Sequence, residues 1–178
     1  MKNIEVELRS FISPEKYSEL LQFFNANAKL IKQDYQETYY FDTPEDLRIQ
    51  KNNAGCKVWL KKGKLHDPCR EEVEIKLPPE AFEKLEQLFK SLGYGIEIKW
   101  LRDRKQFEWQ GIKVCLDNTK GYGHILELEK LSSPENQQSA LDELKQKFRT
   151  LNLDITPKEI FEQKFNHYKQ NWKQLIST

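Results

Sequence analysis

Charged and apolar residues alternate with a period of two in one segment of this chain after another, a pattern that an antiparallel sheet uses and few other folds can. In residues 3–11, Ile4, Val6 and Leu8 point one way and Glu5, Glu7 and Arg9 the other, because successive side chains of a strand fall on opposite faces. Over 70–77 the split sets Val73, Ile75 and Leu77 against Glu72, Glu74 and Lys76. Val114 and Leu116 oppose Lys113, Cys115 and Asp117 within 112–118, and Leu126 and Leu128 oppose Glu127 and Glu129 within 124–131. Lys57, Trp59 and Lys61 share a face, as do Arg102 and Arg104.

Between these strands the period changes to that of a helix. Ser13-Pro14-Glu15 opens the first helix, since serine can cap and proline suits the first turn. Tyr17, Leu20, Leu21 and Phe24 then repeat at helical spacing to about Asn27. Residues 29–42 read as a long strand closing on Asp42-Thr43-Pro44, a turn sequence. Strands at 46–51 and 55–62 join through Asn52-Asn53-Ala54-Gly55, and 63–69 reads as a loop. Pro78-Pro79 starts a second helix, with Phe82, Leu85, Leu88, Phe89 and Leu92 on its buried stripe and Gly93 as its cap. Residues 95–109 are β-rich. Ser132-Ser133-Pro134 introduces a third helix to about Leu151, and Thr156-Pro157 a last one carrying Phe161, Phe165, Tyr168 and Trp172. No linker divides the chain, so residues 1–178 are expected to form a single α+β domain.

Composition removes several function classes. The charged residues, 32% of the chain, cancel to a formal +1, without the basic excess of a nucleic-acid binder. No apolar run approaches a membrane span, and the charged first residues are unlike a signal peptide. Cys56, Cys69 and Cys115 have no paired short spacing, so neither a zinc site nor a disulfide framework is read, and free thiols in a reducing cytoplasm are expected. His66, His124 and His167 are scattered and read as packing or surface residues. Trp100, Trp109 and Tyr122 read as packing aromatics, with base stacking as the other use. The expectation is a cytoplasmic monomer or homodimer with no nucleic-acid or membrane partner.

The polar strand faces admit two readings. They are either the water side of an open sheet or the wall of a charged, hydrated interior. Acidic pairs two residues apart recur as Glu5/Glu7, Glu72/Glu74 and Glu127/Glu129. Like charges on one face repel unless a cation sits between them, and a hard divalent ion takes a few carboxylate oxygens plus water and phosphate oxygens. Arg and Lys on facing strands would hold phosphate, Arg through forked contacts.

Several stretches resemble the CYTH family, which includes class IV adenylate cyclases, thiamine triphosphatases and inorganic triphosphatases. Glu5-Val6-Glu7-Leu8-Arg9 is similar to its opening Glu-x-Glu-x-Lys, with arginine for lysine. Tyr39-Tyr40-Phe41-Asp42-Thr43-Pro44 resembles its aromatic-Asp-Thr-Pro turn, and Glu74-Ile75-Lys76-Leu77-Pro78 its lysine-bearing strand. Arg102-Asp103-Arg104, Leu116-Asp117, Gly121-Tyr122-Gly123 and Leu126-Glu127-Leu128-Glu129 follow in the family's order, so the resemblance covers residues 4 to about 131. It implies a closed antiparallel eight-stranded β-barrel, a tunnel, with helices packed outside. Glu5, Glu7, Asp117, Glu127 and Glu129 would bind Mg²⁺ or Mn²⁺, and Arg9, Lys76, Arg102 and Arg104 the triphosphate. Where the family carries Arg-x-Arg on the 55–62 strand, Lys57 and Lys61 are the candidates here, with Trp59 between them.

The resemblance implies hydrolysis of tripolyphosphate, thiamine triphosphate or a nucleoside triphosphate. Cyclisation of ATP to cyclic AMP and pyrophosphate, or binding of a polyphosphate or nucleotide without turnover, are the alternatives. Lys158 resembles a lysine of thiamine triphosphatases that pairs with a tyrosine at the position of Tyr40, and the closing Ser-Tyr of class IV cyclases is not visible. Both features favour hydrolysis.

Overall fold

Strand follows strand through short turns in this chain, and the structure, a computed structural model, describes residues 4–61 and 72–177. The strands are β1 (Ile4–Ile12), β2 (Lys29–Phe41), β3 (Asp46–Asn52), β4 (Gly55–Lys61), β5 (Glu72–Leu77), β6 (Ile96–Trp109), β7 (Ile112–Thr119) and β8 (Gly123–Ser132). The helices are α1 (Pro14–Asn27), α2 (Ala81–Ser91), α3 (Gln137–Thr150) and α4 (Lys158–Leu175), with a 3₁₀ turn at Pro134–Asn136 before α3. Cys69, His66 and the expected 63–69 loop lie outside the described residues.

One sheet takes all eight strands in the order β1-β8-β7-β6-β2-β3-β4-β5. The chain is therefore α+β, with antiparallel β1/β8, β7/β8, β2/β3, β3/β4 and β4/β5 pairs. The order ends at β1 on one side and β5 on the other. The expected closed barrel is thus met as eight antiparallel strands and not as a hydrogen-bonded ring among the described residues.

The chain groups into two compact units, residues 1–33 with 103–167 and residues 34–102 with 168–178. In the first, the apolar faces of β1, β7 and β8 carry Val6, Val114, Leu116, Leu126 and Leu128, which pack against Leu20 and Phe24 of α1 and Ala140, Leu144 and Phe148 of α3. Each fully buried Val, Leu or Phe side chain among them is worth about 1.5–3 kcal/mol of transfer free energy. Ser13 Oγ accepts from Lys16 N at 3.1 Å and Pro14 takes the first helical position, so α1 starts where the sequence places it. Gln110 and Gly111, at φ 53° and 76°, make the two-residue turn between β6 and β7. A turn with both central residues at positive φ matches the twist of the strands it joins. Ser10 Oγ donates to Asp154 O at 2.6 Å, and Thr156 Oγ1 accepts from Phe11 N at 3.0 Å, tying the approach to α4 onto β1.

The second unit centres on Tyr39, Phe41, Ile49, Cys56 and Phe82. Asp42 of the aromatic-Asp-Thr-Pro turn accepts from Gly95 N at 2.6 Å, and a Cβ at Gly95 would come within 2.8 Å of Asp42 Oδ2. That motif therefore fixes the chain's entry into β6. Tyr168 donates its hydroxyl to Lys99 O at 2.8 Å, and Trp172 Nε1 donates to Glu97 O at 2.7 Å. Two apolar stripes differ from expectation. Val73 and Ile75 of β5 are 50% and 54% exposed, and Leu88 of α2 and Leu92 just past its end are 52% and 62% exposed. Periodicity assigns residues to a shared face but not a cover to that face; β5 is an end strand, and Val73 and Ile75 do not belong to the cluster around Tyr39 and Phe82. No helix among the described residues is long and apolar enough to cross a membrane.

Candidate active site

In the first unit, strand register gathers charge onto the face opposite the core. Glu7 stands across from Glu129, and Glu129 across from Lys113; Arg9 stands across from Glu127, and Glu127 across from Cys115. Opposed residues of paired strands project to the same side. These six side chains come from alternate positions on three strands, and Arg104 of β6 joins them through its ion pairs with Asp117 and Glu127.

Burial divides the cluster. Asp117, Glu127 and Glu129 are 3%, 8% and 5% exposed, whereas Glu5, Glu7 and Arg9 are open to solvent. Arg104 donates from Nε to Asp117 Oδ1 at 2.7 Å and from Nη2 to Asp117 Oδ2 at 2.6 Å, a forked pair, and Nη2 lies 3.2 Å from Glu127 Oε1. Lys113 Nζ pairs with Glu129 and sits 3.5 Å from Glu5 Oε1. Arg9 Nε lies 3.8 Å from Glu7 Oε1, and its guanidinium rests 5.0 Å from the centre of the Phe161 ring.

Five carboxyls (Glu5, Glu7, Asp117, Glu127, Glu129) thus face three cations (Arg9, Arg104, Lys113). The imbalance appears in the protonation behaviour. Burial, then hydrogen bonds from Glu127 and Glu5, push the Glu129 carboxyl up to about 9. Partial desolvation of a half-exposed side chain, then the Glu127 charge, raises Glu7, while a hydrogen bond with Glu129 holds Glu5 below the usual range. Burial opposes charge on Arg104, but the Asp117 pair outweighs it and its pKa rises further. Cys115, fully buried, stays a thiol because burial raises it, and Sγ donates to Glu129 Oε1 across 3.8 Å. Cys115, Glu127 and Glu129 bring one donor atom each within 4.8 Å of one another. Oε2 of Glu129 is buried and is met by the Lys113 ammonium as an ion pair. Five carboxyls set against three cations, with Asp117, Glu127 and Glu129 buried, make a donor set that fits a hard divalent cation.

The remaining predicted residues lie in the second unit or apart. Lys57 Nζ meets Glu74 Oε2 at 2.8 Å and Trp59's ring at 4.3 Å. Lys76, whose side chain is 86% exposed, lies 3.9 Å from Glu74 Oε1. Lys61 stands opposite Asp46 in the β3/β4 register. Arg102 donates from Nε to Gln36 Oε1 at 2.9 Å, and Gln36 in turn donates to buried Asp34 at 3.0 Å. Tyr40 underlies Arg48, 4.1 Å from its ring centre. Lys158 opens α4 as an exposed side chain 3.6 Å from Glu162 Oε1.

Sequence reasoning missed Arg48, Gln36, Lys113 and Cys115 as site residues. Arg48 forms a fork with Asp46 at 2.5 Å on both arms and lies against both Tyr40 and Trp59. The signal was present, because Asp46, Arg48 and Gln50 alternate on one face, as Lys113 and Cys115 do with Asp117. Trp109 packs edge-on against Phe24 at 5.4 Å and Trp100 against Tyr168 at 5.1 Å, so both serve packing; Tyr122 lies 5.3 Å from Phe11.

The chain is 33% identical to the Methanocaldococcus jannaschii protein named "Putative adenylate cyclase MJ0240" over 162 residues, 84% of this chain and 90% of the relative. Its fold is similar to the PH1012 protein of Pyrococcus horikoshii, at TM-score 0.68 and 21% identity over 87% of this chain and 96% of that one. It is also similar to HpAC1 of Hippeastrum, described as revealing a dominant triphosphatase activity, at TM-score 0.61 and 20% identity over 85% of this chain and 89% of that one. The CYTH domain itself matches residues 3–159, and with the paired acids, the Arg104 fork and the eight antiparallel strands in place, the chain belongs to the CYTH family.

Proposed function

We propose that this chain is a divalent-metal-dependent triphosphatase, acting on inorganic tripolyphosphate, thiamine triphosphate or a nucleoside triphosphate in a charged tunnel formed by a single CYTH domain. The observation that carries the reading is the excess of carboxyls over cations on one face of β1, β7 and β8, with Glu129 left needing a proton. Glu5, Glu7, Asp117, Glu127 and Glu129 would hold Mg²⁺ or Mn²⁺. Such an ion, when bound, draws charge off phosphate oxygens and lowers the pKa of a coordinated water.

Arg9, whose guanidinium is exposed, presents forked donors to phosphate, and Lys57, Lys61, Lys76, Arg102 and Arg104 are the other proposed triphosphate ligands. Asp117 orients Arg104 by taking both arms of its fork, which spares the Arg104 side chain conformational entropy on binding. Asp34 does the same for Arg102 through Gln36. Phosphoryl transfer asks for little beyond this positioning and charge stabilisation. Tyr40 and Lys158 are proposed to act in the hydrolytic step. Lys158→Ala removes only an exposed ion pair, so kcat should fall while stability stays within about 0.5 kcal/mol.

Purified protein incubated with each triphosphate and Mg²⁺ or Mn²⁺, with products separated by ion exchange, tests the reading. Orthophosphate is the expected product. The name of the Methanocaldococcus relative favours a second reading, cyclisation; cyclic AMP with pyrophosphate from ATP would establish it and overturn hydrolysis. Tight binding without product would instead mark a binding module.

A further inference from the structure

Beyond Arg9 and Asp117 the charged face of the first unit changes character. Phe11 and Asp117 both stand opposite Ile125, and Thr119 follows opposite Gly123, so the face runs on through Phe11 and Thr119. Two residues of strand carry these positions about 7 Å past Arg9 and Asp117. There the end of β1, the β7/β8 turn and α4 border a cavity of about 590 Å³, whose lining includes Phe11, Thr119, Lys120, Tyr122, His124 and Lys164. Two lysines and no aspartate or glutamate are among its described lining residues, the reverse of the acid surplus on the same face. Lys164 Nζ lies 4.7 Å from the centre of the Phe11 ring, which also stacks on Phe161 at 4.5 Å. Burial lowers the His124 pKa and its ring packs 4.6 Å from Tyr17, so the positive charge here comes from the lysines.

A second observation is independent of the lysines. Thr119 is 2% exposed, and its Oγ1 has no hydrogen-bond partner among the described residues. Tyr122 N donates to Thr119 O at 3.0 Å, which fixes the backbone of the turn and leaves the hydroxyl as the group to be satisfied. A buried hydroxyl without a partner is costly, and an acceptor seated beside it removes that cost. We propose that Thr119, Lys120 and Lys164 bind a phosphate oxyanion, Thr119 Oγ1 donating to one oxygen and the two ammonium groups balancing its charge. Lysine serves such an ion as a point charge. The oxyanion is free orthophosphate or the end group of a linear polyphosphate running past the acid face. The second source rests on the triphosphatase reading; the first does not. Lys120 and Lys164 stand far apart in the sequence, so spacing could not pair them.

Amide chemical shifts of the isotope-labelled chain in EDTA test the site, with orthophosphate and tetrapolyphosphate as probes and chloride at matched ionic strength as the control. Saturable shifts at residues 119–124 with phosphate and none with chloride are expected, lost in Lys120→Ala/Lys164→Ala. Saturation by orthophosphate assigns the free ion, and saturation by tetrapolyphosphate alone assigns the chain end. Thr119→Val should weaken binding about tenfold, the worth of a hydrogen bond to a charged group, without lowering the midpoint of thermal unfolding. No saturable shift with either probe, equal shifts in the double variant, or a Thr119→Val chain that binds like the wild type overturns the proposal. Phosphate release from tripolyphosphate with Mg²⁺ is followed on the wild type in parallel. Release without saturable shifts sinks this inference alone, and orthophosphate shifts without release sink the triphosphatase reading alone.

Discussion

Glu129 shows how a single side chain ties stability to pH. Its pKa rises from 4.5 to about 9 in the folded chain, chiefly through burial and the neighbouring acids. The folded state therefore holds a proton that the unfolded state has released, and stability declines as pH rises from about 4.5 towards 9. Glu129→Gln needs no such proton. In EDTA, its midpoint of thermal unfolding should exceed the wild type's at pH 8 and converge on it near pH 5; a constant difference across that range would contradict the assignment. Arg104 and Asp117 depend on each other in the opposite sense. Arg104→Met strands a carboxylate whose side chain is 4% exposed, which should cost about 3–5 kcal/mol by urea unfolding. Adding Asp117→Leu should recover most of that loss without restoring turnover, separating the structural part of the pair from its proposed phosphate contact.

At the scale of elements, alternation within each strand was readable because side-chain period follows from backbone geometry. It correctly grouped Glu5 with Glu7 and Glu127 with Glu129, and it placed Leu126 and Leu128 on the core side. It could not supply register, so the meeting of Lys113 with Glu129, of Arg104 with Glu127, and of Cys115 with both acids stayed hidden in the sequence. Nor could it tell which apolar faces find a cover, hence the exposed Val73, Ile75 and Leu88. That difference is measurable. Leu128→Ala in the fully buried β8 face should cost about 2–5 kcal/mol, whereas Leu88→Ala on α2 should stay within about 0.5 kcal/mol. Gly95→Ala, which drives a Cβ to 2.8 Å from Asp42, should destabilise the chain, and Asp42→Ala in the same background should relieve part of the loss. Urea unfolding of the single and double variants reads both comparisons.

Across the whole molecule, the order of motifs along the chain suffices to identify the family. What order could not convey is ring closure: among the described residues the hydrogen-bonded strand order ends at β1 and at β5. The proposed function rests on a narrower feature, the surplus of carboxyls over cations on one face of β1, β7 and β8. Its most direct test is phosphate release from tripolyphosphate with Mn²⁺ by the wild type, Glu5→Gln and Glu129→Gln, each confirmed folded by thermal unfolding. The account predicts release by the wild type and loss of it in both variants. Undiminished release by both folded variants would contradict it.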